Sequence, residues 1–493
     1  MSHPIRVLYD NAEAKAGRIA LIDGQTRISH AELITRVEAA AANLAERGVR
    51  PGDRVGLCAQ NSAEHVVAYL AILRAGAVWM PLNPRNGARL NSEFQARARP
   101  VVTLIDAASS DMAGHSERPL LLSDWLAHLA AGTPAPIVDD PDAPFALKFT
   151  GGSTGVPKGV IQSQASASAA LRSMSDFYRF TVDDVNLAVA PLTHGSSHYV
   201  LPVLAAGGAH VLLGEPDRPA ILDALRSGVS IAFMPPTLIT LLMGEMAFTP
   251  SDFSRLRHLT YSAAPMSPER IAETIDRFGP VLSTLYGQTE APMTIAGLSP
   301  DEMTDPSKAA SVGRPFADTP VRLLAPDGAV VDRGEGEILV GGDLARTEYL
   351  DAPDLTAASR HDGWLKTGDI GRMGDDGLLR LIGRAKEMII TGGYNVYPAE
   401  VEAALNRHPA VLEACAFAEP DDVWGERLEA AVAVRPGFAD AAAVLAGVRD
   451  DIGPVRTPKR LHLIASLPRN PVGKVVRDDV RALCRASSLE TAS

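Results

Sequence analysis

The chain has 493 residues, of which 46% are apolar, 22% charged and 5% aromatic, and its formal net charge is −12. This is the composition of a globular protein, and the length predicts about three folding units, so an intrinsically disordered chain is excluded. The net negative charge repels polyanions and argues against nucleic acid as a partner.

The number of cysteines and the length of the apolar runs indicate the cellular compartment of the protein. The three cysteines, Cys58, Cys415 and Cys484, are too few for a disulfide framework and too widely spaced for a metal-ligand cluster. The first residues, MSHPIRVLYDNAEAK, contain no apolar stretch of signal-peptide length, and runs such as Val66 to Leu73 are too short to span a membrane. These features predict a cytoplasmic protein without a membrane span.

The N-terminal part reads as helices alternating with strands. Ser29 and Glu32 form a capping-box pattern ahead of an amphipathic helix that ends near Gly48. Short apolar runs then begin at Val55, Val101, Phe145 and Ser230, separated by helical patterns. Strands interleaved in this way predict parallel sheets covered by helices.

The pattern changes from about Val321. The runs VRLL, GEILV and LLRLI are separated by turns rich in glycine and aspartate, which predicts a small antiparallel, β-barrel-like unit. Beyond Gly383, the segments EMII, ACAFA, EAAVAVR and LHLI and a helix beginning at Pro398 predict a compact α+β domain. The predicted fold class is α/β, with a large N-terminal domain of two helix-covered sheet lobes and the barrel-like unit over residues 1–384. A hinge joins it to a small C-terminal domain over residues 385–493.

A glycine-rich loop follows the strand FALKF. It reads TGGSTGVPKGV from Thr150 to Val160 and combines glycines with the hydroxyls of Ser153 and Thr154 and the ammonium of Lys158. Backbone N–H groups beside glycine approach an anion closely, so the loop predicts a polyphosphate site. It is not a Walker A loop, because Lys158 is preceded by proline and followed by glycine. A flexible turn is the alternative, but such turns seldom carry a lysine at a fixed place.

Two further segments suit a nucleotide. Tyr286-Gly-Gln-Thr-Glu290 places a carboxylate beside a hydroxyl, as a Mg²⁺ ion on phosphate oxygens requires, and adds an aromatic face for a purine. Thr367-Gly-Asp369 precedes Arg384, and an acidic side chain on a tight turn can accept both hydroxyls of a ribose. Each segment alone would be an ordinary turn in most proteins.

In this order, the segments resemble the signature of the adenylate-forming superfamily, and in particular its acyl-CoA synthetase branch. The resemblance extends from the N-terminal helix to Lys474, nearly the whole chain. It implies ATP, Mg²⁺ and coenzyme A (CoA) as the molecules used, with Glu290 as a Mg²⁺ ligand, Thr289 on the α-phosphate and Tyr286 stacked on adenine. The implied ATP-binding residues are Thr150, Ser153, Thr154, Lys158, Ser262, Ala263, Ala264, Tyr286, Gly287, Asp369 and Arg384.

The same resemblance assigns residues near the C-terminus. Lys474, in the segment NPVGK, resembles the family's catalytic lysine, whose ammonium neutralises charge between the carboxylate and the α-phosphate. A solvated lysine would be the favoured interpretation if this segment stood alone. Lys386 corresponds to the hinge about which the C-terminal domain turns, and Gly392 and Gly393 line the passage for the pantetheine arm of CoA.

The acyl site is less well specified. His194, in PLTHGSSH, resembles the residue that borders the acyl site in the family, so we group it with the catalytic residues as a gate or pocket wall. Gly195, Ser196 and Ser197 are small and leave room, and no charge is placed there. We therefore expect an apolar acyl body, in an aromatic, alicyclic or medium-chain acid.

The predicted function is that of an AMP-forming acid–CoA ligase, which converts a small carboxylic acid and ATP to acyl-AMP and then passes the acyl group to CoA. The alternative is a stand-alone adenylation enzyme that loads a carrier protein, but no aspartate follows Pro191 to pair with an amino acid and no carrier domain follows Lys474. A luciferase-like oxygenase has no specific support. A homodimer is compatible with the sequence but not specified by it.

A catalytically inactive nucleotide-binding regulator is the remaining alternative. Such a protein would be expected to lack at least one of the charged groups that the resemblance assigns. All five are present, namely Lys158, Glu290, Asp369, Arg384 and Lys474.

Overall fold

The computed structural model describes residues 3–129, 132–150, 157–244, 248–435, 437–469 and 475–490. Its internal contacts divide the chain into two units. The first comprises Met1–Pro265, Ala272–Val321 and Leu339–Thr367, and the second comprises Met266–Ile271, Arg322–Ile338 and Gly368–Ser493. The predicted boundary after residue 384 falls inside the second unit and stays a prediction.

The described strands are β1 (Ile19–Asp23), β2 (Thr26–Ser29), β3 (Arg54–Cys58), β4 (Val78–Leu82), β5 (Val102–Ile105), β6 (Pro119–Leu121), β7 (Pro144–Thr150), β8 (Lys158–Ser163), β9 (Val185–Ala188), β10 (Ala209–Leu212), β11 (Ile231–Met234), β12 (His258–Tyr261), β13 (Leu282–Tyr286), β14 (Ala296–Leu298), β15 (Arg314–Pro315), β16 (Val321–Leu324), β17 (Val330–Val331), β18 (Gly334–Val340), β19 (Thr347–Tyr349), β20 (Arg360–His361), β21 (Trp364–Met373), β22 (Leu379–Arg384), β23 (Ile389–Thr391), β24 (Tyr394–Val396), β25 (Val411–Asp421), β26 (Gly425–Val434) and β27 (Arg460–Ile464).

The described α-helices are α1 (Ala12–Lys15), α2 (His30–Glu46), α3 (Ala63–Arg74), α4 (Gly87–Ala98), α5 (Leu122–Ala127), α6 (Gln164–Tyr178), α7 (Val200–Ala206), α8 (Arg218–Arg226), α9 (Pro236–Met243), α10 (Pro268–Phe278), α11 (Pro300–Met303), α12 (Pro306–Ala309), α13 (Pro353–Ala358), α14 (Pro398–Asn406), α15 (Ala441–Ile452) and α16 (Arg477–Glu490).

Two sheets form the frame of the first unit. In its described part, one sheet has the order β15-β14-β13-β12-β11-β9-β10-β1-β2 and the other the order β19-β8-β7-β4-β3-β5-β6. The central strands of both run parallel, as in the pairs β3 with β4 and β11 with β12. The predicted α/β architecture of strands alternating with helices is confirmed.

Helices α2 and α3 illustrate how the sequence covers these sheets. The hydroxyl of Ser29 accepts the backbone N–H of Glu32, whose carboxylate in turn accepts the N–H of Ser29 at 2.8 Å, so the predicted capping box is formed. The face that carries Leu33, Val37 and Leu44 is fully buried. Helix α3 is apolar almost all round and buried along its length, as expected of a helix inside a large domain.

The second unit has its own sheet and core. Its sheet has the order β24-β23-β26-β25, with β27 parallel to β26, and helices α14 and α15 contribute Val401, Leu405, Val444 and Val448 to the core. Strands β16 and β17, and β21 and β22, pair antiparallel, as the turn-separated runs after Val321 predict.

Cys58, Cys415 and Cys484 are buried. In the described ranges, every helix is too short or too polar to cross a membrane.

Candidate active site

The glycine-rich loop connects two adjacent strands of one sheet. Strand β7 ends at Thr150 and β8 begins at Lys158, and these two residues lie opposite each other in the antiparallel pair. Ser153 and Thr154 fall between them, outside the described residues. Because β7 also pairs parallel with β4, the loop begins at the carboxyl edge of the parallel strands, where open α/β sheets usually bind ligands.

Strand β19 brings a tyrosine between two predicted site residues. It pairs antiparallel with β8, with Tyr349 opposite Val160. The hydroxyl of Tyr349 donates to Oε1 of Glu290 at 2.8 Å, and Nζ of Lys158 lies 5.8 Å from the centroid of the tyrosine ring. Burial, and then the charge of Glu290, raise the pKa of Tyr349 above its ordinary value, so the phenol remains a donor.

The backbone of the YGQTE segment is held by two further hydrogen bonds. Nε2 of Gln162 donates to the carbonyl of Thr289 at 2.8 Å, and the hydroxyl of Thr347 donates to the carbonyl of Glu290 at 2.8 Å. The structure therefore gathers Lys158, Thr289 and Glu290 at one edge of the first unit.

The oxygen atoms of this cluster fit a hard cation. Oε2 of Glu290 and the hydroxyl of Thr289 have no hydrogen-bond partner among the described residues, so both can accept a ligand. The described ranges hold no group of three His, Cys, Asp or Glu side chains that could bind a metal alone. This fits Mg²⁺, which is usually held by one or two carboxylates together with phosphate oxygens and water.

The segments predicted to lie along adenine follow two adjacent parallel strands, β12 and β13. Ser262, Ala263 and Ala264 come directly after β12, and Ala263 has a φ of 71°, which is strained for a residue with a side chain. Tyr286 ends β13 and is 7% exposed. A Cβ at Gly287 would lie 2.6 Å from the Cα of Met293, so only glycine fits there.

The second unit pairs the two residues predicted to bind ribose. Asp369 on β21 lies opposite Arg384 on β22, and Oδ1 of Asp369 is 2.9 Å from Nε of Arg384. Gly368 turns the strand with a φ of 70°, and its N–H donates to Oε1 of Glu337 at 3.0 Å. The ion pair with Arg384 thus fixes the direction of the Asp369 carboxylate. The residue is only 5% exposed.

The predicted hinge and the two glycines after it are described, whereas Lys474 lies outside the described residues. Lys386 is exposed in a short 3-10 helix. Gly392 has a φ of 57°, and a Cβ there would lie 2.8 Å from the ring of Trp424. Gly393 has a φ of 81° with open space around it, so a substitution there is strained by the backbone conformation alone.

His194 immediately precedes a 3-10 helix (Gly195–Tyr199), and its Nδ1 is 2.9 Å from the hydroxyl of Thr193. Part of the residue is exposed to solvent. The protein packed around the ring, and then the charge of Lys148, lower the pKa of His194 to about 4. His194 is therefore neutral at pH 7.

The expectation that Gly195 leaves room for substrate is wrong. A Cβ there would lie 2.9 Å from the ring of Phe233, because the aromatic side chain packs directly against the glycine backbone. Ser196 and Ser197 are buried.

Tyr349, Lys148 and His198 were missed by the sequence reasoning. No motif singles out Tyr349, because its place depends on β19 pairing with β8. Lys148 did leave a signal, since it is the one charged residue in the apolar strand FALKF. Its Nζ lies 3.1 Å from Nε2 of His198.

Residues 8–350 match the family model for AMP-binding enzymes, and residues 400–474 match the model for the C-terminal domain of those enzymes. The chain therefore belongs to the AMP-binding enzyme family. Together with relatives that are named CoA ligases, these matches confirm the predicted superfamily and enzyme class, an ATP-dependent, AMP-forming acyl-CoA synthetase.

Three named proteins illustrate the similarity. A medium/long-chain-fatty-acid–CoA ligase of Mycobacterium tuberculosis is 35% identical over 73% of this chain and 65% of its own length. A methyl-dioxo-octahydroindenyl-propanoyl:CoA ligase of the same organism is 34% identical over 94% of this chain and 95% of its own. The solved structure of the amide bond synthetase McbA from Marinactinospora thermotolerans is 29% identical, with a TM-score of 0.88 over 98% of this chain and 99% of its own.

Proposed function

We propose that this chain activates a carboxylic acid with ATP and Mg²⁺ at the cluster of Lys158, Thr289 and Glu290, and then transfers the acyl group to CoA. The observation that carries the proposal is the placement of Tyr349, which holds Glu290 by a 2.8 Å hydrogen bond while its ring lies beside Lys158. A cation, a carboxylate and a hydroxyl thus stand beside a glycine-rich loop, as a polyphosphate site requires.

In the first half-reaction, a carboxylate oxygen attacks the α-phosphorus of ATP. The bond from that phosphorus to the oxygen shared with the β-phosphate breaks, and pyrophosphate leaves with the electron pair. Lys158 is assigned to the departing phosphates, the hydroxyl of Thr289 to an α-phosphate oxygen, and Lys474 to the charge between acid and phosphate. When bound, Mg²⁺ would supply charge neutralisation on the phosphates, and Glu290 would hold it.

In the second half-reaction, the thiolate sulfur of CoA attacks the carbonyl carbon of the acyl-adenylate. The bond from that carbon to the phosphate oxygen breaks, and AMP leaves with the electron pair. We assign Asp369 and Arg384 to the ribose and Gly392 and Gly393 to the pantetheine arm, with Lys386 as the hinge. These assignments are supported by the motif order and by the ion pair between Asp369 and Arg384.

The acid is proposed to have a largely apolar body. The relatives named for a fatty acid and for a dioxo-octahydroindenyl propanoate support medium-chain and alicyclic acids, and an aromatic acid is kept in the same set. A cytoplasmic location is supported by the small number of cysteines, three in 493 residues.

Pyrophosphate release from ATP, measured with a panel of acids with and without CoA, tests the proposal. We expect acid-dependent release, with AMP and acyl-CoA as products when CoA is present. Glu290→Gln should lower the rate strongly, whereas Glu348→Gln, the same change at an exposed site on β19, should not. Equal rates with and without acid, or equal losses in both variants, would contradict the proposal.

A further inference from the structure

Lys148 is a lysine buried within the first unit. It lies on β7, is 8% exposed, and its Nζ is 5.1 Å from the centroid of the Trp79 ring and 3.1 Å from Nε2 of His198. In the described part of the chain, no acidic side chain lies within ion-pair distance of it. Burying an ammonium group without an anion is costly, and burial lowers the pKa of Lys148 to about 7.

The surroundings of Lys148 have more hydrogen-bond donors than acceptors. If the ammonium donates to Nε2 of His198, the imidazole proton is on Nδ1, and that atom has no partner among the described residues. The indole N–H of Trp79 and the hydroxyl of Ser196 are also buried without a hydrogen-bond partner in the described ranges. Unpaired buried donors are rare in folded proteins, so these groups retain the capacity to bind an acceptor that the described residues do not supply.

The same groups border the segment assigned to the acyl site. Lys148 contacts His198, which lies four residues after His194 in that segment. The charge of Lys148 lowers the pKa of both imidazoles. The intervening Gly195 packs against Phe233, and its Cβ position lies 3.3 Å from Sδ of Met293. An apolar wall and a donor-rich end therefore meet at this segment.

We propose that Lys148 and His198 form the polar end of the acyl site and select acids whose acyl body carries a second oxygen acceptor, a carboxylate or a carbonyl, away from the reacting carboxylate. This inference rests on the proposed function. The expected substrate is then an acid whose acyl body is apolar except for an oxygen acceptor far from the reacting carboxylate.

A set of matched acids tests it. Heptanoate is compared with pimelate, which carries a second carboxylate, and with the oxoheptanoate whose carbonyl adjoins the terminal methyl. The readout is the ratio of kcat/KM for each oxygenated acid to that for heptanoate, within one protein preparation. We expect the wild-type ratio to exceed one for at least one of the two, and which acid gives it identifies the acceptor.

Lys148→Met should lower that ratio by roughly tenfold to a hundredfold, as expected for loss of a hydrogen bond to a charged group. Lys15→Met is the matched control, because Lys15 is also buried but its ammonium donates to the backbone carbonyl of Leu204 at 3.0 Å. The control should leave the ratio unchanged. A wild-type ratio of one or less for both acids, or a ratio that Lys148→Met does not lower, would overturn the inference.

Two outcomes separate this inference from the proposed function. If no acid supports pyrophosphate release, the proposed function fails, whereas release with heptanoate alone overturns only the inference. If Lys148→Met does not fold, the wild-type ratio is measured from about pH 6 to about pH 9, across the ordinary titration range of a perturbed lysine. A ratio that falls with rising pH supports the inference, and a constant ratio overturns it.

Discussion

Lys148 and Lys158 lie on neighbouring antiparallel strands, β7 and β8, in opposite electrostatic surroundings. Lys158 is partly exposed beside the ring of Tyr349, whose hydroxyl holds the carboxylate of Glu290. Lys148 is buried beside Trp79 and His198. The difference teaches that Lys158 lies where a polyanion can approach it from water, whereas the buried Lys148 depends on a ligand for its counter-charge.

Substitution of a third lysine, Lys474, has the largest expected effect and should affect the two half-reactions differently. Lys474→Ala should lower adenylate formation by about a hundredfold or more, because it removes a charge that acts on the transition state. Thioester formation from supplied acyl-adenylate and CoA should be largely retained. Single-turnover assays of each half-reaction measure both, and equal losses would remove Lys474 from its assigned role.

Lys158→Ala should slow pyrophosphate release by about tenfold to a hundredfold, as expected for the loss of a charge-assisted contact to a phosphate. Because Lys158 is assigned to ATP and not to the acid, the loss should be the same for every acid in the panel. Steady-state rates with heptanoate and pimelate check this. A loss that depends on the acid would break the comparison between the two lysines.

The pH dependence should distinguish the buried lysine. As pH rises through about 7, Lys148 loses its proton, so KM for the preferred oxygenated acid should increase by up to about tenfold per pH unit. His194, with a pKa of about 4, and His198, whose pKa lies well below its ordinary value, are already neutral in this range. KM for heptanoate should stay flat, and parallel profiles for the two acids would contradict the assignment.

The same shift predicts a stability effect. The folded-state pKa of Lys148, about 7, lies below the ordinary value of 10.5, so the unfolded chain binds more protons between these values. The contribution of Lys148 to the free energy of unfolding therefore increases as pH rises across that window. Lys148→Met should remove it, and thermal unfolding of both proteins across the window measures the change.

The smallest expected effect is at the tyrosine. Tyr349→Phe removes the 2.8 Å hydrogen bond to Glu290 but keeps the ring beside Lys158. Pyrophosphate release should fall about threefold to tenfold, in line with the loss of one hydrogen bond. The half-saturating Mg²⁺ concentration should rise in the same variant. An unchanged dependence on Mg²⁺ would mean that Tyr349 does not position Glu290.

Local patterns predicted much of the fold. The capping box at Ser29 and the helix that begins at Pro398 depend on neighbouring residues, and both are confirmed. The apolar runs at Val55 and Ser230 form strands β3 and β11 for the same reason. Strand order and the division of the chain into units depend on distant contacts, which no local pattern encodes.

The candidate site shows the same limit. The phosphate cluster could be predicted because Lys158 and Glu290 each lie in a contiguous motif, whereas Tyr349 reaches them only through strand pairing. Lys148 was visible as a charge in an apolar strand, but its partner His198 is fifty residues away. The room expected at Gly195 was wrong because the packing of Phe233 cannot be read from neighbouring residues.

The most direct test of the central claim, that this chain forms an acyl-adenylate, is a single experiment without CoA. The enzyme is mixed with ATP, Mg²⁺ and a preferred acid, and the products are separated and identified. We predict pyrophosphate and enzyme-bound acyl-AMP in equal amounts, which convert to AMP and acyl-CoA when CoA is added. Formation of ADP and phosphate, or pyrophosphate release that does not depend on the acid, would contradict the claim.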